Sequence, residues 1–192
     1  MNAVTMKTFR LATVLGLLVL AAGCTTTSGG GGDPATRRAS INAAVDEVMG
    51  RLFAQDAGAR ELVGQARAVL VFPTVLEAGF VVGVSRGEGA LRKGGKTVSY
   101  HRTTGGSFGL QAGAQSSAVF ILFMTDDALA SFEKSRGWTA GVDANVTVLS
   151  AGANARVTST TVQQPVVGYV LSNRGLMAGV TIDGSRITRL QL

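Results

Sequence analysis

One cysteine, one histidine, one tryptophan and three prolines among 192 residues exclude a good deal of chemistry. A lone cysteine forms no intramolecular disulfide, so the fold must be held by its core alone. A lone histidine, His101, leaves nucleophilic triads without the partners a general base needs. No carboxylates cluster at ligand spacing to make up a transition-metal site. Asp46-Glu47 and Asp126-Asp127 are adjacent on expected helices, where neighbours point about 100° apart, so neither reads as a catalytic pair. Asp126 and Asp127 fit better as favourable charges at a helix start. Nothing here implies a cofactor, and the reading is non-enzymatic. With so little proline, the 26 glycines spread among Val, Thr and Phe point to tightly turned antiparallel strands, not to a linker.

The cysteine has an informative position. A start carrying Lys7 and Arg10 precedes an apolar run, Leu11 to Ala22, and then Gly23-Cys24. That is the pattern of a secretory signal, and the run is too short for a spanning helix of about 20 residues. Leu20-Ala21-Ala22-Gly23-Cys24 resembles the lipobox of bacterial lipoproteins, with Ala21 where leucine is usual. The expectation is a signal peptide over 1–23, lipid attachment at Cys24, a flexible Thr/Ser/Gly tether to 33, and one domain over 34–192. A cleaved, non-lipidated secreted chain is the rival. Thr25 in place of Asp favours, by analogy with lipoproteins generally, an outer-membrane anchor facing the periplasm. Loss of 1–23 leaves 169 residues with 16 basic against 12 acidic side chains. That surplus suits anionic lipid and is too small to argue nucleic acid.

Asp33-Pro34 reads as a helix cap, and Ile41, Val45, Val48 and Leu52 set a helix over 35–54. A shorter helix is expected around 58–66. Ala68 to Phe72 reads as a buried strand stopped by Pro73. Strands are expected at 80–85, 90–91, 97–102, 107–114 and 118–124, with residues 92–96 as a hairpin turn. Thr125 or Asp126 caps a helix through Ala128, Leu129 and Phe132. Further strands are expected at 143–150, 155–162, 166–171, 177–182 and 186–190, with Asp183-Gly184 as a hairpin turn. The fold class is therefore α+β: a mainly antiparallel, strongly curved sheet, barrel- or sandwich-like, with a few helices packed on it.

Residues 90–97 (ALRKGGKT) fit a relaxed phosphate-loop pattern. Phosphate cradling needs a helix to begin at the Lys-Thr, and the following Val98-Ser99-Tyr100-His101-Arg102 is β-prone. The nucleotide reading is rejected.

Three ordered segments carry a resemblance. The first is Ala68 to Pro73 with Gly79-Phe80 and Gly87-Glu88-Gly89; the second is Gly106 to Ala114, leading to Val119 to Met124. The third is Gly175 to Val180, ending in Asp183-Gly184-Ser185. Together they make residues 39–190 similar to the SYLF family, lipid-binding domains of bacterial lipoproteins and eukaryotic trafficking proteins. The resemblance implies a non-enzymatic domain that binds membrane lipids, phosphoinositides in many eukaryotic relatives. It offers no catalytic residues to carry over. Some fungal members bind actin, which an exported chain has no reason to do. Ser150 to Ala153 departs from the Gly-Pro-rich turn of many relatives.

The charges suggest where anionic headgroups, phospholipid or phosphoinositide-like, would meet such a domain. Arg86, Arg92, Lys93, Lys96 and Arg102 gather around the expected hairpin, and Lys134 and Arg136 follow the short helix. Basic residues near an anionic surface contribute ~1 kcal/mol each. The competing reading is a solvated turn. Trp138 reads as core or as an interfacial ring, Phe120 and Phe123 as core. A different class remains open: a structural or adaptor lipoprotein that binds an envelope protein or cell-wall component.

Overall fold

The computed structural model describes residues 33–149, 164–172, 175–176 and 182–192, with side chains at all of these except 79–82, 107–114 and 175–176. Cys24, the expected signal and the tether up to residue 32 lie outside the described residues, as do the strand expected at 155–162 and most of that at 177–182.

Asp33 starts helix α1 (Pro34–Gln55): its carboxylate accepts from the Thr36 amide at 3.1 Å, and proline fills the first position, where no N–H is needed. Ile41, Val45, Val48 and Leu52 form its buried face. Asp56 serves two helices. Its N–H closes α1 on the Leu52 carbonyl at 2.9 Å, and its carboxylate opens α2 (Ala57–Gln65) by accepting from the Gly58 amide at 2.8 Å.

The next element is one long hairpin, β1 (Ala68–Lys93) and β2 (Lys96–Phe123), paired from Lys93↔Lys96 to Ala68↔Phe123. Gly94 and Gly95, at φ 53° and 80°, make the turn, since both positions need the left-handed region. A straight strand of 26 residues would run about 86 Å. The whole unit Asp33–Leu192 should have a radius of gyration of only about 15 Å. The ribbon therefore doubles back. A β carbon on Gly89 would sit 2.0 Å from the Val71 carbonyl oxygen, and one on Gly87 2.7 Å from that of Thr74, so the two ends of β1 touch backbone to backbone. Register shifts at Phe72/Val75, Gly79/Val81 and Leu91/Arg92 help the strands bend.

Pro73 does not stop β1. It falls inside the first register shift, where a missing N–H breaks no ladder bond, and the strand continues. The separate strands expected between 80 and 124 are accordingly parts of two continuous ones.

Helix α3 (Asp126–Lys134) is capped by Thr125, whose hydroxyl accepts from the Ala128 amide at 3.2 Å, with Asp126 and Asp127 in the first turn and Lys134 in the last. The short strands β3 (Trp138–Thr139), β4 (Thr147–Leu149), β5 (Val166–Ser172), β6 (Gly175–Leu176) and β7 (Arg186–Leu190) complete the described sheet. Its order is β3-β7-β2-β5-β4, with β1 on the other edge of β2 and β6 beside β5. All pairs are antiparallel except β4 with β5. The strand expected from Asp143 begins only at Thr147. Gly141 at φ 80° turns the chain, and Asp143 accepts from the Thr139 amide at 2.6 Å, which closes that turn.

The central strands are buried on both faces, which is why their sequences run apolar without alternation. Val69, Val71, Phe120 and Leu122 pack with α1 and α2. Leu70, Phe72, Val119, Ile121 and Phe123 pack on the opposite side with Leu129, Phe132, Trp138 and Ile187. The result is an α+β fold whose mostly antiparallel sheet curls into a half-barrel.

Candidate functional site: the basic end of the long hairpin

The hairpin turn projects Lys96 into solvent beside the C-terminal end of α3, because Lys93 Nζ bonds Glu133 Oε1 at 2.7 Å. Lys134 and Arg136 follow Glu133 and are exposed. None of Lys96, Lys134 and Arg136 has an ion pair among the described residues. The Lys93–Glu133 pair thus sets the segment that carries Lys134 and Arg136 beside the turn that carries Lys96.

The other cations of the sequence cluster are placed differently. Arg92 is turned onto α1, only 15 % of its side chain exposed, where it donates to Asp46 Oδ1 at 2.5 Å and to the Asn42 carbonyl at 3.3 Å. Arg102 donates to Glu88 at 3.1 Å. Glu88 also accepts both arms of the Arg37 guanidinium, at 2.5 and 3.1 Å. The Arg37 hydrogen bond, ahead of the burial that opposes it and the second bond from Arg102, holds the Glu88 carboxyl below its ordinary range. Asn42 adds hydrogen bonds with Tyr100 and Thr97 at 3.0 and 2.8 Å. These contacts staple α1 to the ribbon and neutralise Arg92 and Arg102 internally. Arg86 is exposed and lies seven residues back from Lys93, about 23 Å along an extended strand. The hairpin thus does not gather all five of its basic side chains on one face.

The stapling acids Asp46, Glu88 and Glu133 carry no signal as partners in the sequence, since Asp46 is 46 residues from Arg92. Only the fold brings them together.

The aromatic residues are core. Trp138 is 1 % exposed and meets Phe123 and Phe132 edge-on, with centroids at 6.1 and 5.8 Å. His101 is buried against Phe132, centroids 5.0 Å apart, and its Nε2 shares a hydrogen bond with the Ser99 hydroxyl at 2.8 Å. Burial, helped by the charge of Arg189 and opposed by Glu133, lowers its pKa to about 4. Lys96-Thr97 begins a strand, so residues 90–97 have no helix N-terminus with which to cradle phosphate. Among the described residues no group of three metal-ligating side chains is placed to hold an ion, and no helix is long and apolar enough to cross a membrane.

A search of the curated proteins finds no match to the chain. Residues 104–191 do match a family model, described as "Ysc84: Las17-binding protein actin regulator". The matched stretch runs from the middle of β2 through α3 to β7, and contains two of the three segments that carry the resemblance. The match supports, over residues 104–191, the similarity to the Ysc84, or SYLF-domain, family that the sequence carries.

Proposed function

We propose that the protein is a membrane-anchored periplasmic lipoprotein, attached through Cys24, whose SYLF domain is non-enzymatic and binds anionic lipid headgroups. The observation that carries the reading is the set Lys96, Lys134 and Arg136, exposed and without ion pairs among the described residues, where the hairpin turn meets the end of α3. At ~1 kcal/mol for each basic residue near an anionic surface, three give ~3 kcal/mol. Acyl chains on Cys24 would already hold the protein on its own membrane, since two chains anchor stably. The basic end then orients the domain or captures a second lipid surface.

The test is co-sedimentation of the unacylated chain, residues 25–192, with neutral and anionic vesicles across a salt series. We expect binding to anionic vesicles only, weakening with salt, and a loss of ~100-fold in K96A/K134A/R136A. Arg92→Ala should instead lower thermal stability, because it removes a staple. Absence of binding to either vesicle would mean that Cys24 supplies all membrane contact.

The family description names protein binding, and this favours a second reading, an adaptor whose partner is an envelope protein. Unchanged vesicle binding in the triple variant, with loss of a partner recovered by the parent chain, would select it.

A further inference from the structure

A cleft of about 90 Å³ lies between β2, β7 and the end of α3, with Glu133, the partner of Lys93, in its lining. Its polar lining is Ser99, His101, Glu133, Ser135 and Arg189, and Phe132 and Trp138 supply apolar wall. None of this is legible as a site in the sequence. His101 and Arg189 are direct partners across β2 and β7, and Ser99 lies two residues from His101 on the same face of its strand.

Three observations bear on an occupant. His101 is 7 % exposed, and with Nε2 committed to Ser99 its Nδ1 has no hydrogen-bond partner among the described residues. Arg189 has no ion pair among them either, so its planar fork is available for an oxyanion. The charges around the cleft are Arg189 from β7, Lys93 from β1 and Glu133 from α3, with His101 of β2 neutral near pH 7, a net of one positive charge. A second negative charge on the ligand would meet Glu133.

We propose that this cleft binds a small monoanionic oxyanion, a carboxylate or a phosphodiester, carried on an apolar body. Arg189 pairs with the oxyanion, Nδ1–H of His101 donates to it when Ser99 donates to Nε2, and the Trp138–Phe132 wall takes the apolar part. The volume suits a group of a few heavy atoms and is too small for a whole sugar headgroup. The inference stands apart from vesicle binding, which is assigned to Lys96, Lys134 and Arg136.

The single histidine makes the test direct. A bound oxyanion favours the imidazolium, so it must raise the titration midpoint of His101, and each unit of rise means tenfold tighter binding to the protonated form. Imidazole resonances of the full chain are followed against pH with butyrate, with dimethyl phosphate, and with sodium chloride at equal ionic strength. We expect butyrate, dimethyl phosphate or both to raise the midpoint by about one unit and chloride to leave it in place. Butyrate alone would identify free carboxylates as the ligand class; dimethyl phosphate alone would identify phosphodiesters, and hence lipid. In R189Q, which alters an exposed side chain, the ligand-induced rise should vanish, and Val98→Phe should block it by filling the mouth. No rise with either oxyanion, or an equal rise in R189Q, overturns the proposal, whatever the vesicle experiment gives.

Discussion

Gly89 and Gly50 show how differently one residue type can act. Gly89 lies where the ends of β1 meet, and any β carbon there would overlap the Val71 carbonyl. Gly89→Ala must force the doubled ribbon apart, and we expect a loss of more than ~3 kcal/mol in urea unfolding, or no folding. Gly50 is exposed in the interior of α1, where a β carbon would meet nothing within 4 Å. Gly50→Ala should stabilise by ~1 kcal/mol through helix propensity alone. His101 makes a third residue-level case. Its folded pKa of about 4 lies below the ordinary 6.5, so the unfolded chain binds more protons between those values. The stability it confers is complete above pH 6.5 and falls as pH drops towards 4, by about 3 kcal/mol in all. In His101→Gln the unfolding free energy should lose that slope between pH 6.5 and 4, leaving the Glu88 effect at lower pH.

At the scale of elements, the staples between α1 and the ribbon differ in worth according to burial. Glu88 is half-buried and holds two arginines, so Glu88→Gln should cost about 1–2 kcal/mol, read as a lower urea midpoint. Lys93→Met breaks a more exposed pair and should cost less than ~0.5 kcal/mol. The elements themselves are largely legible in the sequence. Helical spacing gives both N-terminal helices, and Thr125 and Gly94-Gly95 mark a cap and a turn. What escapes a local reading are boundaries set by tertiary structure. Pro73 reads as a stop because a bulge that hides its missing N–H cannot be seen locally. Asp143 reads as a strand start because its bond to the Thr139 amide exists only once the turn forms. The basic cluster is visible as charge, yet its division into stapled Arg92 and Arg102 and exposed Lys96 depends on acids brought in by α1 and the fold.

For the whole molecule, the proposed function makes anchoring and headgroup binding separable. Under the proposed function, Cys24→Ser should move the protein from the membrane fraction to the soluble one on cell fractionation, while the isolated domain keeps its salt-sensitive affinity for anionic vesicles. Retention of the Cys24→Ser chain in the membrane fraction after a high-salt wash would argue against the acyl anchor. The long hairpin has a further, kinetic consequence. Its pairs range from Lys93↔Lys96 to Ala68↔Phe123, so each new pair can close next to one already made, starting at Gly94-Gly95. The entropy of closing a distant loop is then met in small steps during zippering. Only afterwards need the ribbon fold over, with Gly87 and Gly89 as its contact points, before the helices can find a finished surface to cover.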